Sequence, residues 1–173
     1  DYLRKLKPSV FEDIIAMNAL YRPGPLDANM IERYIDRKYG REQVEYYHPR
    51  IEKILSSTYG VIVYQDQVMQ VAAELAGFSM AKADTLRSAM GKKNAELMAK
   101  MKSEFIEGAV ALKVPRETAE EVFDFCEKFG RYGFNRAHSA AYAVLAYRCA
   151  WLKAHYPVEF MAALMTSEMG DTD

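Results

Sequence analysis

The densest group of residues with chemical potential lies between Phe129 and Tyr142, in the segment FGRYGFNRAHSAAY. Two glycines there would let a ligand approach the backbone closely, and Asn135 is a residue type that caps helices. The helix predicted to follow begins with Arg136 and His138, beside backbone amides that have no partner within a helix. This pattern predicts an anion site, for example for a phosphate, at the start of that helix.

The same helix is predicted to carry a flat surface next to the anion site. His138 and Tyr142 are four residues apart and therefore share one helix face, and the neighbouring alanines add little bulk. A nucleobase or a sugar could pack on such a face. The alternative is structural: the alanines could pack against another helix, and His138 could be a histidine whose hydrogen bonds are satisfied internally.

A second group of cations lies in the segment ADTLRSAMGKK, residues 83–93. Arg87 falls near the end of a predicted helix, and Lys92 and Lys93 fall in a predicted break after it. Positive charge at the carboxyl end of a helix has an ordinary stabilising role through the helix dipole. The segment is not a GxxxxGK[ST] phosphate loop, so these cations indicate a binding site only together with other signals.

Charge is sorted by region along the chain. The formal net charge is −1, which argues against a generic nucleic-acid binder. Residues 128–158 nevertheless contain five Lys or Arg and no Asp or Glu. An anionic partner is therefore predicted for that region, with solvated helix faces as the alternative.

The sequence carries none of the common catalytic or metal-binding motifs. HExxH, GxSxG and a tight pair of carboxylates on a strand are absent, so no catalytic residue, no metal site and no cofactor of its own is predicted. Cys126 and Cys149 lack zinc-ligand spacing, and we expect both to be buried. Apolar runs far shorter than the roughly 20 residues that cross a bilayer, and no leader segment, predict a cytoplasmic protein without a membrane partner.

The elements that position these residues are predicted to be helices. Apolar residues recur with helical period, between caps, glycines and prolines, in the segments 10–20, 28–39, 49–56, 65–75, 79–90, 94–111, 115–129, 136–155 and 158–169. Residues 61–64 form the only strand-like run. The predicted fold is all-α, a single mainly helical domain of about eight or nine helices with at most one short strand-like segment.

Two predicted helices begin with side chains that could cap the helix or contact a ligand. Ser9 and Glu12 have the spacing of a capping box. Gln65 and Gln67 open the helix after the strand-like run, where their amides could contact a backbone or a base. The alternative there is that Asp66 caps the helix and the amides have no ligand.

Five segments, in order, resemble the catalytic α subunit of bacterial DNA polymerase III, a family C DNA polymerase. They are YRPGP (21–25), YGVIVYQDQVM (59–69), ADTLRSAMGKK (83–93), YGFNRAHSAAY (132–142) and LKAHYPVEFM (152–161). The resemblance runs from about Leu6 to Met165 and corresponds to the fingers region that follows the palm. It implies that residues 1–173 are a partial fingers domain, with residues 1–26 at the junction with the palm and residues 27–173 forming the helical fingers body.

The resemblance implies a function that composition and spacing do not. Members of the family synthesise DNA from deoxynucleoside triphosphates on a primed template, with magnesium held by palm aspartates expected N-terminal to this chain. The resemblance implies nucleotide contacts by Arg87, Lys92, Lys93, Asn135, Arg136 and His138. It also implies further contacts with DNA or nucleotide by Arg22, Gln65, Gln67, Tyr132 and Tyr142.

The YRPGP segment and three departures from the family pattern bear on these assignments. Two prolines flanking a glycine predict a rigid, non-helical corner that presents Arg22. Ser88 stands where family members often carry a second basic residue, so no paired cation is expected beside Arg87. Arg136 and Asp66 replace a usual Lys and a usual Glu, which keeps the charge.

The resemblance also implies partners. These are template-primer DNA, the incoming triphosphate, the palm and remaining domains of the same polypeptide, and, through the full-length chain, the sliding clamp and other replisome subunits. The isolated chain is expected to be inactive because it lacks the catalytic aspartates. The alternative function is a non-catalytic helical module that binds nucleic acid or protein.

Overall fold

Apolar residues at helical spacing fold into helices throughout the chain. The computed structural model describes residues 1–92 and 95–169, and of Lys92 it describes the backbone only. Its helices are α1 Tyr2–Leu6, α2 Phe11–Leu20, α3 Pro23–Asp27, α4 Met30–Lys38, α5 Pro49–Leu55, α6 Gln65–Ala76, α7 Met80–Lys92, α8 Ala95–Ala111, α9 Arg116–Gly130, α10 Arg136–His155 and α11 Pro157–Glu168, with a 3-10 turn at Ser56–Thr58. Within those residues there is no strand, and the predicted all-α single domain is confirmed.

Each of the predicted helical segments contains a helix, and two short helices were missed. α1 and α3 have only five residues each, too few for apolar periodicity to appear. α3 corrects the prediction of a non-helical corner at YRPGP, because Pro23 is the first residue of a helix, a position that proline favours. The predicted break at Gly91 is also wrong, since α7 continues through it to Lys92. The predicted cap Asn94 lies outside the described residues.

At two helix starts, the side chain that accepts the capping hydrogen bonds belongs to the residue after the acid that we expected. At α2 the buried Asp13, not Glu12, accepts hydrogen bonds from the backbone N–H groups of Ser9 at 2.8 Å and Val10 at 3.2 Å. Lys38 on α4 donates to the same carboxylate, so this cap also ties α2 to α4.

At α6 the cap comes from a glutamine amide. Gln67 Oε1 accepts from the N–H groups of Val63 at 2.9 Å and Tyr64 at 3.0 Å. Asp66 stays exposed in the first turn. The predicted capping by Asp66 is therefore replaced by capping from the next residue, Gln67.

The main core lies between α6, α7, α8 and α9. Phe105 lies at its centre, with ring centroids 6.0 Å from Phe78 and 5.5 Å from Phe123. α8 crosses the end of α6 so closely that a Cβ on Gly108 would lie 2.3 Å from the carbonyl oxygen of Ala76. Packing of this density leaves no room for even one methyl group at the crossing.

The strand-like run is an extended segment buried between helices. Residues 61–64 are all buried, and Tyr64 forms a single parallel bridge with Phe134. The Phe134 N–H donates to the Val63 carbonyl, and the Gln65 N–H donates to the Phe134 carbonyl, both at 3.0 Å. This agrees with the predicted limit of one short strand-like segment and attaches the turn before α10 to the core.

The first turns of α10 are partly buried, and its later turns are exposed. Its first turns pack on α2, where Ser139 and Ala143 are completely buried. Beyond Ala143 every described residue is at least partly exposed, including many large apolar side chains on α10 and α11. Cys149 is exposed there, which corrects the expectation that it is buried, whereas Cys126 is buried as predicted. Across residues 1–92 and 95–169, no helix is long and apolar enough to cross a membrane.

Candidate functional site

The turn that joins α9 to α10, residues 131–135, is fixed from two sides. The Val63 and Gln65 backbone groups hold Phe134 as described above. From the other side, the Arg22 guanidinium donates through Nη2 to the Tyr132 carbonyl at 2.6 Å. The predicted cluster of chemistry-bearing residues therefore begins on a turn whose backbone is tied to two other parts of the chain.

Internal packing closely surrounds Gly133 in this turn and Gly130 at the end of α9. A Cβ on Gly133 would lie 3.0 Å from the Gly130 carbonyl oxygen and 3.2 Å from the Gln65 nitrogen. A Cβ on Gly130 would lie 2.9 Å from the Met90 sulfur and 3.0 Å from Val68. The space beside these glycines, which we expected a ligand to occupy, is thus filled by neighbouring residues of the protein.

The start of α10 combines a capped amide group with an uncompensated cation. Asn135 Oδ1 accepts a 2.9 Å hydrogen bond from the His138 N–H, so the prediction of Asn135 as N-cap is confirmed. Arg136 is exposed and lies 5.7 Å from the centre of the Tyr64 ring. None of the ion pairs found in the described part of the chain involves a cation of residues 128–158.

Tyr64 stays neutral beside that cation. Burial raises the pKa of the Tyr64 hydroxyl to about 12, against the opposing effect of the nearby Arg136 guanidinium. The hydroxyl is therefore protonated at neutral pH and supplies no charge that would cancel Arg136. Tyr64 therefore leaves the charge of Arg136 uncancelled, although the charge of the Glu12 carboxylate also acts on this hydroxyl and raises its pKa.

A row of rings leads from Arg22 along the exposed side of α10. The Arg22 guanidinium carbon lies 4.6 Å from the centre of the Phe134 ring. The Phe134 ring lies 5.5 Å from His138, and His138 lies 4.7 Å from Tyr142. His138 and Tyr142 are both exposed, so the predicted shared face exists and is open to solvent.

The second group of cations is only partly described. Arg87 on α7 donates from Nε to Asp84 Oδ1 at 2.7 Å, so an acid partly neutralises its charge. Lys93 and the Lys92 side chain lie outside the described residues. The predicted nucleotide contacts of Arg87, Lys92 and Lys93 stay predictions.

The two motif regions meet at one open pocket of about 630 Å³. It is lined by Met90 and Gly91 in the last turn of α7 and by Arg131 and Tyr132 of the turn before α10, together with residues of α8 and α9 that include Lys102 and Glu127. The structure thus brings the end of the ADTLRSAMGKK segment next to the start of the YGFNRAHSAAY segment. No sequence pattern connects these segments, because some 40 residues of α8 and α9 separate them.

Two of the further candidate contacts are engaged inside the protein. Arg22 is half-buried and points inward, which corrects the expectation that the YRPGP corner presents it. Gln67 is buried, and its Nε2 donates to Thr58 Oγ1 at 2.7 Å and to the Ile54 carbonyl at 3.3 Å. A ligand contact by Gln67 would break these bonds. Gln65 is half-buried next to them.

Tyr132 lies between two other residues of the site. A Cβ on Gly24 would lie 2.8 Å from the edge of the Tyr132 ring, so the YRPGP segment packs directly against that ring. On the other side Arg131 donates to the Tyr132 hydroxyl at 2.9 Å. Sequence reasoning missed both contacts and the buried Ser139, since small and hydroxyl residues give no periodic signal.

No group of three or more His, Cys, Asp and Glu side chains that could hold a metal ion occurs in the described part of the chain. The residues of the site are instead cations, amides and rings. Their chemistry suits the binding of an anionic, partly aromatic ligand rather than bond cleavage by a nucleophile.

Comparison with known proteins agrees with the resemblance seen in the five segments. Residues 1–113 match the model of the bacterial DNA polymerase III alpha subunit finger domain. The chain is 55% identical to the DNA polymerase III subunit alpha of Pasteurella multocida (strain Pm70) and 51% identical to that of Escherichia coli (strain K12), in each case over 100% of this chain and 15% of the relative.

A third relative gives the same result. The DNA polymerase III subunit alpha of Aquifex aeolicus (strain VF5) is 52% identical over 99% of this chain and 15% of its own length. The similarity to these relatives therefore includes the start of α10, which lies beyond the matched residues 1–113. The chain belongs to the bacterial DNA polymerase III alpha subunit family and contains that subunit's finger domain.

Proposed function

We propose that this segment binds the incoming deoxynucleoside triphosphate and the template-primer DNA during DNA-directed DNA synthesis by the complete polymerase. The observation that carries the proposal is the start of α10, where exposed Arg136 and His138 follow a capped turn and lack a carboxylate partner among the described residues. The chain spans about 15% of the length of the relatives named above. The activity therefore belongs to the whole polypeptide.

Each group at the start of α10 has a role that fits a triphosphate. Arg136 supplies a cation with several N–H donors, which suits phosphate oxygens, and the helix dipole adds to its effect. His138 and Tyr142 supply a flat face for the sugar or the base. Positive charge fixed at this place would stabilise the charge on the phosphates during transfer.

Arg87, Lys92 and Lys93 are proposed to supply further cations to the triphosphate. The adjacency of Met90 and Gly91 to Tyr132 supports this assignment, because both regions border the same opening. Binding of a triphosphate there would compete with Asp84 for the Arg87 guanidinium.

The remaining components of the reaction are assigned to other parts of the polymerase. Magnesium, proposed to be held by palm aspartates, would stabilise the attacking and leaving oxygens, and no ligand to it is assigned in this chain. The palm and other domains of the same polypeptide are the proposed neighbours, and contacts with the sliding clamp and other replisome subunits would be made through the full-length chain. The isolated chain should extend no primer when it is mixed with template, triphosphates and magnesium.

The test uses Arg136→Ala and His138→Ala in the full-length polymerase. Arg136→Ala removes a cation proposed to hold the phosphates, and His138→Ala removes a ring proposed to pack on the sugar or the base. We expect both to raise the KM for deoxynucleoside triphosphate, by about tenfold for Arg136→Ala, as for loss of a hydrogen bond to a charged group. Steady-state primer extension at varied triphosphate concentration measures it. The matched control is Arg41→Ala, which removes an exposed arginine paired with Asp36 and should leave the KM unchanged.

An unchanged KM in both Arg136→Ala and His138→Ala would overturn the proposal. If the KM for primer-template rises instead, the start of α10 contacts DNA rather than the triphosphate, and the roles of these two residues would be reassigned. Measuring both constants on the same enzyme preparations separates the two outcomes.

A further inference from the structure

Arg22 joins two parts of the chain that lie 110 positions apart in sequence. Its Nε donates to the Ala19 carbonyl at 2.8 Å, and its Nη2 donates to the Tyr132 carbonyl at 2.6 Å. Its guanidinium also faces the Phe134 ring at 4.6 Å. The end of α2 is thereby fastened to the turn that precedes the proposed triphosphate site.

No acid in the described part of the chain balances the charge of Arg22. No ion pair of Arg22 with a carboxylate is found among residues 1–92 and 95–169, and burial lowers the pKa of its guanidinium. Placing a cation in a partly buried position without an anion costs free energy. The two carbonyl acceptors and the aromatic face offset that cost, so the contacts with Tyr132 and Phe134 are what hold the side chain there.

These contacts lie directly beside the groups proposed to bind the nucleotide. Tyr132 and Phe134 precede the cap Asn135, and the Phe134 ring also contacts His138. A shift of the turn would therefore move both the first amides of α10 and the His138 ring. Small displacements of binding groups have large effects on transition-state positioning.

We propose that Arg22 is a positioning residue for nucleotide binding: it fixes the turn at Tyr132 and Phe134, and through that turn it places Arg136 and His138. This inference rests on the proposed function of the start of α10. It assigns Arg22 no contact with the nucleotide or with DNA, in contrast to the contact that the sequence predicted.

Substitution of Arg22 by lysine separates the effect of side-chain geometry from the effect of positive charge. Arg22 uses two different nitrogens of one planar group to reach two carbonyls, and the same plane faces Phe134. Lys has one nitrogen on a flexible stem and cannot reproduce this arrangement. Arg22→Lys should therefore behave like Arg22→Ala if Arg22 acts by position, and like the wild type if only its positive charge matters.

The experiment compares Arg22→Lys, Arg22→Ala and the control Arg41→Ala in the full-length polymerase, with two readouts. The first is hydrogen exchange of peptides covering residues 63–65 and 132–138, whose amides at Gln65 and Phe134 are hydrogen-bonded across the turn. The second is the KM for deoxynucleoside triphosphate alongside kcat and the KM for primer-template. We expect faster exchange in these peptides and a rise of about tenfold in the triphosphate KM for both Arg22 variants, with the primer-template KM unchanged.

Three results would overturn the inference. They are wild-type behaviour of Arg22→Lys, unaltered exchange in both Arg22 variants, and an unchanged triphosphate KM in variants whose exchange is faster. A uniform increase of exchange throughout the fingers would also overturn it, because Arg22 would then stabilise the fold as a whole.

Failure of the proposed function gives a different pattern. If Arg136→Ala and His138→Ala leave the triphosphate KM unchanged, the proposed function fails, whatever the exchange of the Arg22 variants. If those two substitutions raise the KM and the Arg22 variants do not, the binding site stands and the positioning role is wrong.

Discussion

The Ser139 hydroxyl donates a 2.6 Å hydrogen bond to the backbone carbonyl of Ile15, across 124 positions of sequence. Asn18 donates in return to the Ser139 carbonyl at 3.3 Å. Both bonds lie one turn after the start of α10 and fix its rotation about its own axis. With Ser139 turned toward α2, Arg136 and Tyr142 are left facing solvent.

Ser139→Ala should destabilise the chain by about 1–2 kcal/mol, because it leaves the buried Ile15 carbonyl without this donor. Urea denaturation followed by circular dichroism measures the free energy of unfolding. The matched control is Ser103→Ala, since Ser103 bonds only an exposed Glu107 one turn away and its loss should change little. Equal stability of the two variants would mean that the hydrogen bond to Ile15 contributes nothing.

We expect the free energy of unfolding to fall in acid because of the carboxyl group of Asp13. Burial raises the pKa of the Asp13 carboxyl, but hydrogen bonds from Lys38, Ser9 and Val10 outweigh this effect and hold the pKa below its usual range. A carboxyl with a lowered pKa stabilises the fold above its unfolded pKa of about 3.9, and this stabilisation is lost as the pH falls through the lower folded value. The Asp13 contribution should therefore be complete at pH 7, begin to fall at about pH 4, and be lost only once the pH has passed below the lowered folded pKa.

Asp13→Asn provides the measurement. The substitution leaves the Lys38 ammonium buried without its counter-charge, so at pH 7 we expect a loss of about 3 kcal/mol in the free energy of unfolding. The difference from wild type should shrink between pH 5 and pH 3. Asp36→Asn is the control, because Asp36 pairs with Arg41 in an exposed position that should contribute little. A difference that does not vary with pH would contradict the assignment.

Two glycines in helices should respond to alanine with opposite signs. At Gly108 a methyl group would meet the Ala76 backbone at 2.3 Å, and we expect a loss of about 1–3 kcal/mol from overpacking. At Gly91 nothing lies within 4 Å, and the residue is in α7. Alanine there should stabilise the chain by about 0.5–1 kcal/mol through helix propensity. Thermal unfolding of both variants checks the signs, and a shift in the same direction would contradict this packing at one of the two positions.

The exposed apolar surface of α10 and α11 predicts self-association of the isolated chain. Leu145 is 56% exposed and Met165 is 64% exposed, and exposed apolar patches of this kind promote association. Light scattering should show a mass that increases with concentration. Leu145→Glu combined with Met165→Glu should reduce the increase, whereas Val110→Glu, on the exposed side of α8, should not. A constant monomer mass for the unmodified chain would rule the association out.

The helices were predictable from sequence because each depends on local pattern. In the predicted segment 28–39 the apolar residues with helical spacing are Met30, Ile31, Tyr34 and Ile35, and all four are buried in α4. The Asn135 cap was likewise local, since its partner His138 lies three residues away. Both depend on interactions within one or two turns of helix, which side-chain type and spacing determine.

The site could be predicted only in part because its contacts are distant in sequence. Arg22 was expected to face a ligand, yet its acceptor Tyr132 lies 110 positions away. Gln67 was a candidate contact, yet its amide joins α6 to Thr58 and to the end of the preceding helix. Both side chains are polar and lie beside a motif, so spacing alone could not distinguish an internal partner from an external one.

The bridge between Tyr64 and Phe134 should form late in folding, after the helices between these two residues have packed. The chain between these two residues contains α6, α7, α8 and α9, so the bridge closes a long loop whose entropic cost is offset only after those helices have packed together. The turn before α10 should therefore be ordered after the four-helix core during synthesis of the chain. By the same reasoning it should be among the first parts to open in local unfolding. A substitution deep in that core, far from any nucleotide, could then delay maturation of the site without altering its final geometry.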